Sequence, residues 1–121
     1  VRPDIPRHVQ AFVARHLPSV GHLETLLWTR EHRSRWWTAD ALASYVNVST
    51  AAAEKILEEL CSGSLLAVQA SAKIAYRFSP ATPDLDALVD DFVDTLRQSR
   101  PRVFELISSH ASRSDLADAR G

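Results

Sequence analysis

Apolar residues recur at helical spacing through most of this chain. Val9, Phe12, Val13 and Leu17 share one face of a helix expected over 5–17, with Asp4 as its N-cap and Pro18 as its stop. Ser19 is the next capping residue. Val20, Leu23, Leu26, Leu27 and Trp28 give a second inner face through about Glu31. A polar, basic connection, "REHRSR" at 30–35, follows and leads into Trp36 and Trp37. In an extended segment these two point to opposite sides, so one is buried and the other lies near the surface.

Thr38 caps a helix expected over 39–46, with Leu42, Ala43 and Val46 facing inward. Asn47 is placed to turn the chain in the left-handed conformation. Val48 fills the space beneath the corner, and Ser49 caps the next helix, 50–61. That helix turns Ala53, Ile56, Leu57 and Leu60 inward and is expected to end with Gly63 in the C′ region. The pattern then changes period. "LLAVQ" at 65–69 and "IAYRFS" at 74–79 read as two strands joined by "ASAK". Leu66 and Val68 take one side, with Ile74, Tyr76 and Phe78 across from them or adjacent. Pro80 and Pro83 end the hairpin.

Residues 84–99 return to helical spacing, with a stripe of Leu85, Leu88, Val89, Phe92, Val93 and Leu96. Asp84 and Asp86 suit the dipole at its start and Arg97 at its end. Pro101 predicts a kink or a new helix, in which Val103, Phe104, Leu106 and Ile107 extend the apolar face. The whole is mainly α with a small β-hairpin, one domain over 1–110 and a polar tail over 111–121.

The order of elements resembles the winged helix-turn-helix domain of small bacterial transcription regulators, the MarR- and ArsR-like groups in particular. The residues that carry the likeness are Thr38, Ala39, Asp40, Ala41, Leu42 and Ala43, then Val46, Asn47, Val48 and Ser49. Ala53, Ile56, Leu57, Leu60 and the hairpin at 65–79 complete it. The likeness covers about 36–79, with the flanking helices added by analogy. It implies a helix-turn-helix at 39–61, a wing at 65–79 and extra helices at both ends, those at the C-terminus spanning 84–110. It further implies a dimeric, cytoplasmic regulator bound to double-stranded DNA. Thr50, Ala51, Ala52 and Lys55 would then face bases, and Lys73, Arg77, Arg33 and Arg35 would face phosphates. Helices flanking such a core commonly make the dimer. Leu85, Leu88, Val89 and Phe92, with Val93, Leu96 and Phe104, are thus expected either in a symmetric interface or in closing the monomer's own core.

Charge opens a second reading. The chain of 121 residues has a formal net charge of −1, so bulk charge does not advertise a polyanion partner. Residues 36–63 hold Lys55 against Asp40, Glu54, Glu58 and Glu59. Phosphate neutralisation supplies most affinity for DNA, and carboxylates on the presented helix oppose it. Basic charge instead collects before residue 36, in Arg2, Arg7, Arg15, Arg30, Arg33 and Arg35. Residues 81–99 set five Asp against Arg97. The alternative is therefore a winged-helix module that binds protein and not DNA.

Little else competes. Cys61 is the single cysteine, expected to be a small packing residue. Its isolation excludes an intramolecular disulfide and fits a reducing cytoplasm. The five histidines, His8, His16, His22, His32 and His110, show no ligand spacing, so no metal or cofactor is expected. Asp90 with Asp94, and Glu54 with Glu58, read as solvated faces. No phosphate loop, nucleophile elbow or HExxH motif supports an enzyme. No apolar run has the length of a membrane span and no signal-peptide pattern opens the chain. Val1 opens it and no Met occurs, so trimmed or engineered ends are expected.

Overall fold

A computed structural model describes residues 5–109. The elements run α1 (Arg7–His16), α2 (Val20–Glu31), α3 (Ala39–Val46), α4 (Thr50–Ser62), β1 (Leu66–Ala70), β2 (Ile74–Phe78) and α5 (Pro83–Gln98). A further helix, α6, covers 100–109. Over the described residues the chain is thus mainly helical with one two-stranded antiparallel hairpin. Asp4, His110 and the tail at 111–121 lie outside the described residues. Pro6 occupies the N-cap position of α1, with no side-chain cap.

The caps explain the breaks between helices. Ser19 Oγ accepts from the His22 amide at the start of α2, and Thr38 Oγ1 accepts from the Ala41 amide at the start of α3. Asn47 takes the left-handed conformation (φ 57°, ψ 50°), and the Val48 amide reaches back to the Ala43 carbonyl. Ser49 then caps α4 through the Ala52 amide. The end of α4 differs from expectation. Gly63 has an ordinary φ of −81°, and Ser64 holds the left-handed position at φ 68°. The Leu65 amide closes on the Leu60 carbonyl, so Ser64, not Gly63, is the C′ residue. Gly63 is required for another reason. A Cβ there would lie 2.5 Å from His16 Nδ1.

Pro83 does not end the hairpin. It opens α5 in the first helical turn, behind a Thr82 cap on the Leu85 amide. Ser99 leaves helical geometry (φ −141°, ψ 47°), and α6 begins anew with Pro101 in its first turn, where the missing amide costs nothing.

In the hairpin, Leu66 faces Phe78, Val68 faces Tyr76 and Ala70 faces Ile74. Trp37 pairs with Tyr76 from the other side, each amide donating to the other's carbonyl at 2.7 and 2.8 Å. That pairing selects Trp37 (1% exposed) as the buried indole and leaves Trp36 half-buried. β2 is therefore held on both edges.

One core joins all the elements. Leu42, Ala43 and Val46 of α3 meet Ala53, Ile56, Leu57 and Leu60 of α4, while Phe12 of α1 packs 5.3 Å from Phe92 of α5. The interior face of α2 is more polar than its apolar spacing indicates: His22, Thr25 and Thr29 are buried beside Leu23 and Leu26. Thr29 Oγ1 donates to the Thr25 and Leu26 carbonyls of its own helix, which makes its burial tolerable.

The stripe on α5 is largely internal. Val89, Phe92, Val93 and Leu96 are buried within the single chain. These four thus close the chain's own core, the second of the two places expected for the stripe, with α1 packed against α5. Leu85, Leu88 and Phe104 remain half-buried. Arg30 pairs with Asp90 of α5 at 2.7 Å, and His8 Nε2 lies 3.2 Å from the Asp91 carboxylate.

Candidate functional site

The exposed face of α4, the start of α3 and the inner side of the hairpin enclose a groove of 370 Å³. Its walls are Thr38, Ala39 and Asp40 from α3 and its cap, Glu54 and Glu58 from α4, and Lys73, Ile74 and Tyr76 from the hairpin. Local structure sets each position. The Thr38 cap orients the first turn of α3, which presents Asp40. Glu54 and Glu58 are one turn apart and therefore share a face of α4. Alternation along β2 turns Ile74 and Tyr76 to the same side.

The groove is acidic, with three carboxylates against one ammonium. Tyr76 is 8% exposed as a residue, but its hydroxyl is not a buried atom. Burial first, and then the charges of Glu58, Cys61 and Glu54, raise its pKa above the usual 10.0, so the phenol stays protonated at neutral pH. Ile74 is 57% exposed at the rim and Val68 is 53% exposed across the ladder.

The residues expected to contact DNA divide among α4, the groove and the rings of Trp36, Trp37 and Phe78. Thr50, Ala51 and Lys55 are exposed on α4, and Ala52 is half-buried with its amide held by Ser49. Lys73 alone among the expected cations enters the groove. Arg77 lies on the opposite face of β2 from Tyr76, its guanidinium 4.8 Å over the Trp36 ring. Arg35 stacks 4.4 Å over Trp37 and Arg33 5.2 Å over Phe78. These are cation–π distances, and they give the basic connection an aromatic bed that the run of arginines did not advertise. Tyr45 stacks on Trp28 at 4.8 Å and meets Trp37 edge-on at 5.5 Å, extending the same aromatic layer. Indoles and a tyrosine spread over 28–45 gave no local signal of this.

The histidines are dispersed. His22 Nδ1 lies 2.6 Å from Ser19 Oγ, and its Nε2 is 3.6 Å from Glu59 on α4. Burial, opposed by Glu59, lowers its pKa below 6.5. His16 is lowered by burial and then by Arg15. His32 packs 4.5 Å from Trp28. Among the described residues no group of three or more His, Cys, Asp or Glu is arranged to hold a metal. Cys61 is a free, half-buried thiol, and no described helix is long and apolar enough to cross a membrane.

Comparison of the chain with protein-family models, with curated proteins and with solved structures found no match.

Proposed function

We propose that this chain is a winged helix-turn-helix module that works by binding protein, not by reading duplex DNA. The observation that carries the reading is the acidic groove between α4 and the hairpin. In a winged-helix reader this is the region that meets the duplex, which carries a negative charge about every 1.7 Å along its axis. Asp40, Glu54 and Glu58 oppose that charge, and Lys73 alone favours it. The arginines able to neutralise phosphates are spread over the aromatic layer at Trp36, Trp37 and Phe78. The free thiol of Cys61 fits a cytoplasmic setting.

The test is fluorescence anisotropy with a random 20-base-pair duplex at about 20 mM salt, where charge-driven binding is strongest. The expected result is no binding up to high micromolar protein. Glu54→Lys with Glu58→Lys is expected to create binding that weakens steeply with added salt. Salt-dependent binding by the unaltered chain would overturn the reading.

It would restore the second one, a dimeric DNA-binding regulator. The exposure of Thr50, Ala51 and Lys55 on the forward half of α4 favours that reading. Self-association through α5 and α6 would then have to use Leu85, Leu88 and Phe104, and a solution mass measurement checks it.

A further inference from the structure

Three guanidiniums far apart in the sequence converge on one hollow. Arg30 in the last turn of α2, Arg97 in the last turn of α5 and Arg100 at the start of α6 line a space of 320 Å³. Its apolar floor is Leu27, Val93 and Leu96. Two of the three cations are held in place. Arg30, with its side chain 22% exposed, is braced by Asp90 at 2.7 Å. The Arg100 guanidinium stands 5.2 Å over the Phe104 ring. Stacking takes up a flat face of a guanidinium and leaves its N–H edge free for an acceptor. Arg97 and Arg100 meet no carboxylate among the described residues, although α5 itself carries five Asp. Glu31 is the one carboxylate among the lining residues. The three cations thus outnumber Glu31, in the wall, and Asp90, behind Arg30. What the hollow lacks is an anion.

We infer that this hollow is a binding site for a phosphomonoester dianion that carries an apolar or aromatic group. It shares no residue with the groove between α4 and the hairpin, so it stands independently of the protein-binding reading. A phosphoryl group presents three acceptor oxygens and close to two negative charges. Donors reach the space from three helices, one for each oxygen. A carboxylate has only two oxygens, and a single guanidinium fork satisfies both. The floor of Leu27, Val93 and Leu96 receives the organic part of the ester, as the apolar lining of a small-molecule pocket does. Duplex DNA is a poorer match, since its phosphates are diesters of single charge with no apolar group beside them. Asp90 is a positioning residue, which aims Arg30 without touching the anion.

The test follows backbone amide shifts of the isotope-labelled chain on titration with phenyl phosphate. Inorganic phosphate, benzoate, a phosphotyrosine pentapeptide and a random duplex are titrated in parallel. Shifts are expected around 27–31, 93–97 and 100–104 with phenyl phosphate, and weaker ones at the same positions with inorganic phosphate and with benzoate. Arg97→Gln with Arg100→Gln should weaken phenyl phosphate about fivefold or more, and Glu31→Gln should strengthen it roughly twofold. All three positions are exposed, so the variants keep the fold, which circular dichroism verifies. A phosphotyrosine peptide that binds more tightly than phenyl phosphate supports the site and makes a phosphorylated protein its source. A weaker peptide also supports it and makes the source a free monoester. The assignment is overturned if phenyl phosphate gives no shift at about 10 mM. It is overturned equally by shifts centred elsewhere, by benzoate or the duplex binding as tightly, or by affinity unchanged in the double Gln variant.

Discussion

Replacing Gly63 with Ala isolates a single steric contact. Gly63 has φ −81°, a conformation open to any residue, so the added methyl brings no backbone strain. In a neutral setting the change would stabilise the fold by about 0.4–1 kcal/mol, because alanine loses less backbone entropy. Here the new Cβ would stand 2.5 Å from His16 Nδ1 and 2.9 Å from Cε1. The imidazole must swing away, and it is packed at 5.0 Å against Phe12 and half-buried at the end of α1. Overpacking of this kind costs about 1–3 kcal/mol. The sum is a net loss of about 1 kcal/mol, or roughly 4 °C in Tm for a domain of this size. Urea and thermal unfolding followed by circular dichroism measure it. His16→Ala removes the obstacle, so in the double variant Gly63→Ala should become neutral or stabilising, with a coupling of about 1 kcal/mol or more. Ser64→Gly, one residue on, should stabilise by about 1 kcal/mol, since Ser64 holds φ 68°. A stabilising Gly63→Ala in the unaltered background, or no rescue by His16→Ala, would refute the reasoning.

At the α3–α4 corner, Asn47→Ala should cost about 1 kcal/mol and Asn47→Gly almost nothing, because φ is 57° there; chemical denaturation separates the two. Leu57 is fully buried between the helices, so Leu57→Ala should cost about 2–5 kcal/mol and show as a large drop in the urea midpoint. His16 and His22 both have pKa values below the ordinary 6.5, so the native chain binds fewer protons than the unfolded one. Their contribution is fully present above pH 6.5 and declines as pH falls through 6.5. Thermal melts should give a lower Tm at pH 5.5 than at 7.5, and a His16→Ala, His22→Asn variant should flatten that difference.

What was legible in the sequence is what is decided locally. Ser19, Thr38 and Ser49 cap the helices they precede, and Asn47 turns the corner, because each acts on a backbone group within four residues. The period-two run at 65–79 marked the two strands and the residues that share a side, while their pairing came from the register. Features decided by distant partners were not legible. Which indole is buried depends on Trp37 pairing with Tyr76, some forty residues on. The stripe on α5 has the same spacing whether a second copy or α1 covers it. Only the Phe12–Phe92 contact and the His8–Asp91 pair reveal α1 as the cover. Gly63 read as a helix terminator because glycine usually serves so, while its constraint comes from His16 on another helix. The carboxylates of the candidate site could be counted in the sequence. That they share a groove with Tyr76 required the register of β2.

The double pairing of β2 leaves the outer side of β1 as the sheet's open margin. The segment Leu66–Ala70 reads LAVQA, with no charge and no proline to discourage a visiting strand. Val68, half in water, sits in its middle. At high concentration this margin is where one molecule can recruit another into a continuous ribbon, and a lysine at 68 would be the gatekeeper the strand lacks.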